Sequence, residues 1–279
     1  MLSKVFLEIS NCCNLSCSFC HGTSREKRMM RFDEFEILAA KLQGKAQYLY
    51  FHLMGEPLLH PELPRMIRRA ASLGFRPMIT TNGTLLAERG AELLETPVFK
   101  VSVSMHAPEA NGAFAGEDYL SGCIDFAKKA SEKGIITALR LWNIGGMDEG
   151  NTSLLEALHD AFPGEWRKIR SGECMAEHVY LEWGKKFDWP DIHAEEIGSE
   201  FFCYGLRDQV GVLVDGTVVP CCLDAEGELA LGNLFEQEAD EILASPRARA
   251  IYDGFTHHKA VEPLCRRCGY AAETKRYRS

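Results

Sequence analysis

From Val5 to about Trp183 the chain alternates short runs of period two with longer runs of period 3.6. The short runs predict strands over 5–10, 48–54, 76–81, 99–105, 137–142 and 178–183. The longer runs predict helices between them, as with Phe35, Leu38, Ala39 and Leu42, then Leu63, Met66, Ile67 and Ala70. Asp33 followed by Glu36 predicts a capping box, and Gly74 and Gly134 stand where C-terminal caps belong. Strands and helices that alternate in this way build a parallel sheet from right-handed crossovers, so the expected fold class is α/β with six such units.

The polar positions inside the strands carry a second message. A parallel strand covered on both faces reads as an unbroken apolar run, yet here Val5, Leu7 and Ile9 alternate with Phe6, Glu8 and Ser10. In the same way Leu49, Phe51 and Leu53 alternate with Tyr48, Tyr50 and His52, and Val101 and Val103 with Lys100, Ser102 and Ser104. Val179, Leu181 and Trp183 alternate with His178, Tyr180 and Glu182. The apolar set is expected to face the helices and the polar set to face inward. Closed eight-stranded barrels fill their interior with bulky aliphatic side chains. A polar interior therefore predicts a barrel that is open, or wide enough to hold a polar ligand.

Composition changes the picture mainly through charge and cysteine. The 279 residues, 46% hydrophobic and 25% charged, are ordinary for a globular chain with room for one large domain and one small one. No apolar run reaches spanning length and no export leader precedes Val5, which predicts a cytoplasmic protein with no membrane partner. A net charge of -9 argues against an extended grip on a nucleic-acid backbone, and the basic run 275–278 reads as a solvated tail. Eleven cysteines in such a chain point to metal rather than to disulfides.

Three of them, in Cys13-Asn-Leu-Ser-Cys17-Ser-Phe-Cys20, crowd into eight residues directly after the first strand. Thiolates select zinc or iron-sulfur clusters. Structural zinc takes four ligands, usually as two separated pairs, whereas three cysteines on a 4Fe-4S cluster leave one iron free. This C-x3-C-x2-C pattern, with aromatic Phe19 before its last cysteine, resembles the radical S-adenosylmethionine (SAM) superfamily; zinc is the competing reading. The resemblance implies a partial (β/α)6 TIM-like barrel and a cluster held by Cys13, Cys17 and Cys20. It also implies SAM on the open iron and reductive cleavage of SAM to methionine and a 5'-deoxyadenosyl radical.

On that resemblance, Gly55-Glu56-Pro57 after the second strand matches the turn that binds the SAM amino group, with Met54 where the family has another glycine; a plain turn is the alternative. Thr80 and Asn82 at the end of the third strand, and Ser102 and Ser104 on the fourth, would contact SAM, and Phe19 would pack its adenine. The alternatives are a capping role for Asn82 and satisfied core hydroxyls for the others. Arg140 would place a guanidinium in the interior, where the SAM carboxylate competes with Glu8 and Glu182 to neutralise it. His52, Tyr180 and Glu182 are then left facing the substrate as candidate catalytic residues, with Tyr50 and His178 beside them.

A second constellation starts at Cys203. Strand-like runs over 210–214 and 217–219 are joined by Asp215-Gly216, a strong hairpin signal, then come Cys221-Cys222, a helical stretch from about Gln237, and Cys265-Arg-Arg-Cys268. Twelve residues separate Cys203 from Gly216, four separate Gly216 from Cys221, and two separate Cys265 from Cys268. The arrangement resembles the twitch module, a shortened relative of the SPASM domain. It implies that Cys203, Cys221, Cys265 and Cys268 fully ligate one auxiliary 4Fe-4S cluster. Structural zinc competes here too, and Cys222 competes with Cys221 at the turn. Cys123, on an apolar helix face with Leu120 and Ala127, reads as core. The domain plan is 1–185 for the barrel, 186–200 for a linker and 201–279 for a small hairpin-plus-helix iron-sulfur module.

The chemistry this resemblance implies is hydrogen-atom abstraction from a small polar molecule, sugar-like or nucleoside-like, with reduced flavodoxin or ferredoxin as electron donor and the auxiliary cluster aiding electron transfer. Oxidation, lysis of a nucleoside-like substrate as in queuosine-type salvage, and peptide maturation remain open as reaction types. Peptide maturation ranks last because no peptide-docking segment precedes Val5. An iron-sulfur electron carrier is the non-enzymatic alternative, and it needs neither a polar interior nor a SAM-binding turn.

Overall fold

The computed structural model describes residues 2–107, 117–144 and 151–275, so most of the basic tail lies outside the described residues. Its strands are β1 (Leu2–Leu7), β2 (Ala46–Tyr50), β3 (Arg76–Thr81), β4 (Lys100–Ser104), β5 (Ile136–Ile144), β6 (Arg167–Ile169), β7 (Gly172–Ala176), β8 (Val179–Lys185), β9 (Gln209–Val212), β10 (Thr217–Val219) and β11 (Gly232–Asn233). All join one sheet in the order β11-β10-β9-β1-β2-β3-β4-β5-β8-β7-β6. The run from β9 through β1 to β8 is parallel, and it contains the six strands expected from the alternation. Among the described residues no helix is long and apolar enough to cross a membrane.

The helix-facing set forms the main core. Val5, Leu7, Ile9, Leu49, Phe51, Ile79, Val101, Val103, Leu139 and Leu181 are buried there against Phe35 and Leu38 of α1 (Phe32–Leu42) and Met66 and Ile67 of α2 (Leu63–Ser72). Truncating any one of these large side chains to alanine costs about 2–5 kcal/mol. The opposite face makes three lateral rows of side chains. Phe6, Tyr50, Met78 and Lys100 form the lowest, Thr80, Ser102, Ala138 and Tyr180 the middle, and Ser104, Arg140 and Glu182 the highest.

Several local expectations need correction. Helix α1 starts at Phe32 because the Glu34 carboxylate accepts the Arg31 amide at 2.8 Å, which leaves Asp33 inside the first turn rather than at the cap. Leu53 does not face the helices: β2 ends at Tyr50, the period of two stops there, and Leu53 joins Phe6, Leu213 and Val219 on the inner face. His178 does not face inward either; it occupies the turn into β8 with φ +59° and pairs with Glu177. The hairpin β6–β7, three and five residues long, carries no alternation that announces it.

The C-terminal hairpin is continuous with the barrel sheet, since β9 pairs in parallel with β1 from Lys4↔Gln209 to Leu7↔Val212. Its turn requires glycine: Gly216 has φ +86°, and a Cβ there would lie 2.6 Å from the Phe235 ring. The segment 186–200 is strapped to the last cysteine pair through Ile197 N to Arg266 O at 2.9 Å and Gly269 N to Asp188 O at 3.1 Å.

Candidate active site and cysteine centres

The loop after β1 is closed at its neck, where Met30 N donates to Ile9 O at 2.8 Å and Arg28 N donates to Asn11 Oδ1 at 2.8 Å. Its first cysteines are pressed against the loop after β2. Gly55 has φ +79°, and a Cβ there would stand 2.4 Å from Ser10 O and 2.8 Å from Cys12 O. Glu56 N donates to Cys12 O at 2.8 Å. On the other side Asn82 Nδ2 donates to Asn14 Oδ1 and Asn14 Nδ2 to Thr84 Oγ1, both at 2.8 Å. Cys13 and Cys20 are exposed and Cys17 is half-buried. Burial first, and then the charges of Cys20 and Cys13, push the Cys17 thiol up to about 11; burial raises Cys13 as well. Thiols that oppose one another's ionisation form a donor set suited to a bound cation, which deprotonates its ligands.

Glu56 is buried beneath this loop. Its Oε1 accepts Leu58 N at 2.9 Å and caps the short turn that begins with Pro57, and its Oε2 accepts Asn82 N at 2.7 Å. Burial lifts the carboxyl to about 7 against the lowering effect of the bonds from Asn82, Leu58 and Thr81. A carboxyl held this way gains from an added cation. Asn82 Oδ1 accepts Thr84 N at 3.0 Å in a local turn; it does not cap the following helix, α3 (Leu86–Leu94), whose N-cap is Leu85. The Phe19 ring packs on His106, 4.8 Å between centroids. His106 is a residue the alternation did not single out, because it lies two positions past the end of β4. Its Nδ1 is within 3.2 Å of Arg140 O and 3.3 Å of Trp142 N, which fixes the ring beside Phe19.

Lower in the interior, one wall is aromatic and the other charged. Phe6 and Tyr50 stack at 4.7 Å, and the His52 ring meets both edge-on at 5.7 and 5.9 Å. Facing them, Glu182 is gripped by Lys100 Nζ at 2.6 Å and Arg140 Nε at 2.9 Å. Burial works to raise the Glu182 pKa, but the Arg140 and Lys100 charges outweigh it and hold the carboxyl below its usual range. Arg140 therefore meets Glu182 rather than Glu8, whose carboxylate is taken by Arg25 at 2.8 Å. Among the described residues the two terminal nitrogens of Arg140 make no hydrogen bond, while its guanidinium lies 5.1 Å from the Trp142 ring. Burial, then the Arg140 charge, drive His52 down to about 3, so its imidazole is neutral. His52 Nδ1 and Thr80 Oγ1 are buried without partners. Groups left unpaired in this way mark where a polar ligand belongs.

The second centre is a cavity beneath the C-terminal hairpin and helices. Cys203, Cys221, Cys265 and Cys268 line a single cavity of about 330 Å³ together with Lys4, Asp224, Phe255 and Tyr270. The Cys265–Arg267 turn brings the last two sulfurs round, with Cys268 N donating to Cys265 O at 3.3 Å. Burial raises all four thiols, and neighbouring thiols add to the rise at Cys221, Cys265 and Cys268. Cys222 does not line the cavity; it packs on the inner-face cluster of Phe6, Leu53, Leu213 and Val219. Among the described residues no three His, Cys, Asp or Glu side chains sit at the spacing a single metal ion requires. Four sulfurs around one cavity fit an iron-sulfur cluster.

Comparison with known proteins agrees with this layout. Residues 7–158 match the profile of the Radical SAM superfamily, and residues 203–269 match SPASM, an iron-sulfur cluster-binding domain. A "Probable GTP 3',8-cyclase" of Sulfolobus acidocaldarius is 27% identical over 48% of this chain and 44% of its own length. The Fe-coproporphyrin III synthase of Methanosarcina barkeri is 28% identical over 66% of this chain and 46% of its own. The chain thus spans less than half the length of these curated relatives. Among solved structures, BtrN in complex with AdoMet and 2-DOIA superposes with a TM-score of 0.62 at 19% identity, covering 96% of this chain and 93% of that one, a likeness of fold.

Proposed function

The chain belongs to the radical SAM superfamily, and on that premise we propose that it is an enzyme acting on a small polar, nucleoside-like or sugar-like molecule held in the barrel interior. Cys13, Cys17 and Cys20 would hold the SAM-binding 4Fe-4S cluster, and Cys203, Cys221, Cys265 and Cys268 the auxiliary one. When bound, the first cluster and SAM supply a reductive cleavage that yields a 5'-deoxyadenosyl radical. The protein's part is placement. Glu56, locked by the Leu58 and Asn82 amides, offers its charge to the SAM ammonium, and the free terminal nitrogens of Arg140 suit the SAM carboxylate. Phe19 against His106 gives a flat face for adenine, with Gly55, Pro57, Asn82, Ser102 and Ser104 shaping the rim. Reduced flavodoxin or ferredoxin is the proposed electron donor.

The observation that carries this reading is the pair of unpartnered groups, His52 Nδ1 and Thr80 Oγ1, in an interior walled by Phe6 and Tyr50 on one side and by Tyr180 and the Lys100–Glu182–Arg140 cluster on the other. With its pKa held low, Glu182 stays ionised and serves as an acceptor that orients a ligand, while neutral His52 offers a hydrogen bond. The aromatic wall favours a substrate with a flat ring, which supports lysis of a nucleoside-like molecule as a second reading beside oxidation. Anaerobic reconstitution followed by dithionite and SAM tests the proposal: 5'-deoxyadenosine should form without added substrate. Formation increased by nucleosides but not by peptides would support the substrate class. No 5'-deoxyadenosine from fully loaded protein would overturn the reading.

A further inference from the structure

The cluster loop is gripped on its far side as well. Beyond Cys20, residues 23–25 lie against Ala225 and Glu226, just past Cys221. Ser24 N and Oγ donate to Glu226 Oε1 and Oε2 at 2.9 and 2.6 Å, and Arg25 Nε donates to Ala225 O at 2.8 Å. The other two Arg25 nitrogens donate to the Glu8 carboxylate at 2.9 and 2.8 Å. Glu8, with a side chain 0% exposed, also accepts Met54 N at 3.2 Å and Val214 N at 2.9 Å. One buried carboxylate thus takes four donors from three loops: the cluster loop, the loop that leads to Gly55, and the β9–β10 turn. A bidentate arginine fixes orientation as well as distance.

We infer that Arg25 is a positioning residue through which the C-terminal module holds the SAM-cluster loop in its SAM-binding shape, with Glu8 as the fixed point. The inference rests on the reading that Cys13, Cys17 and Cys20 form the SAM-cleaving centre. The loop's cysteines are mostly exposed, so few apolar contacts order it, and its shape depends on polar grips: Gly55 and Asn82 at the start, Arg25 at the end. Releasing the last grip leaves a looser loop that SAM must order on binding. That cost falls on affinity rather than on the cleavage step.

The test uses Arg25→Met, Arg25→Lys and Glu226→Gln in the full chain. In metal-free protein, hydrogen exchange of residues 12–30 should quicken about tenfold in Arg25→Met while β3–β5 keep their protection. After reconstitution, KM for SAM should rise about tenfold with kcat for 5'-deoxyadenosine changed less than about twofold, and lysine should restore part of the loss. Glu226→Gln, at a half-buried position on the other side of the grip, should move both readouts in the same direction and carries the test if Arg25→Met does not fold. Unchanged exchange and KM in Glu226→Gln and the folded arginine variants, or exchange that quickens across the whole barrel, would overturn the inference. Failure of the wild-type enzyme to cleave SAM would instead sink the assignment of the centre, and the exchange measurement would still decide whether Arg25 orders the loop.

Discussion

Cys13, Cys17 and Cys20 sit on a loop that reaches the surface, with two of the three exposed, whereas Cys203, Cys221, Cys265 and Cys268 line one cavity beside β1 with none exposed, and the difference separates the work each set can do. As cluster ligands, three thiols within reach of solvent would leave room for an exchangeable fourth group beside Glu56 and the polar interior. Four ligands on one cluster would leave none, so the second centre would suit electron transfer or structural support rather than direct binding of substrate. The loops also differ in what shapes them. The first is held by hydrogen bonds and one glycine contact, the second by burial with Phe255 and Leu264.

The harshest way to break the comparison is to remove one centre at a time. Alanine at Cys13, Cys17 and Cys20 should abolish 5'-deoxyadenosine formation and remove roughly half of the iron, as read by iron assay and chromatography. Alanine at Cys203, Cys221, Cys265 and Cys268 should remove the other half, leave SAM cleavage and stop turnover of substrate. Cys222→Ser should keep the full iron content, because that side chain packs on the inner face instead of the cavity. A drop to half would show that it is a ligand.

Smaller effects sharpen the account of the interior. Glu182→Gln leaves Lys100 and Arg140 without their shared carboxylate in a mostly buried setting, and should cost about 3–5 kcal/mol in urea unfolding. The Glu56 carboxyl, lifted to about 7 by burial, stabilises the ligand-free fold fully below its unfolded value and loses that contribution as pH rises through about 7. A bound ammonium favours the ionised form, so SAM affinity should grow up to about tenfold per pH unit below 7 and level off above it. Calorimetry should show proton release on binding at pH near 6 and a flatter profile in Glu56→Gln.

Strands β1 to β5 and β8 were legible because each has one face against helices, and a period of two records that directly. The β6–β7 hairpin was not, since Arg167 and Lys168 are exposed and the strand has no buried face to encode. Spacing separated the two cysteine groups, but it did not tell which of Cys221 and Cys222 enters the cavity, because neighbouring residues point apart and either register satisfies the pattern. The partners of Arg140 and Glu8 were equally hidden. Both faced inward with opposite charge available, and only the fold shows Arg25 reaching Glu8 across the loop neck while Glu182 meets Arg140 from the adjacent strand.

Electron paramagnetic resonance of the dithionite-reduced protein, with and without SAM, tests the division between the two centres most directly. In the variant lacking Cys203, Cys221, Cys265 and Cys268, the remaining signal should shift when SAM is added. In the variant lacking Cys13, Cys17 and Cys20, the remaining signal should stay unchanged. A SAM-dependent shift in the second variant would contradict the account, because it would place an open, SAM-accessible iron among the four cysteines of the C-terminal cavity.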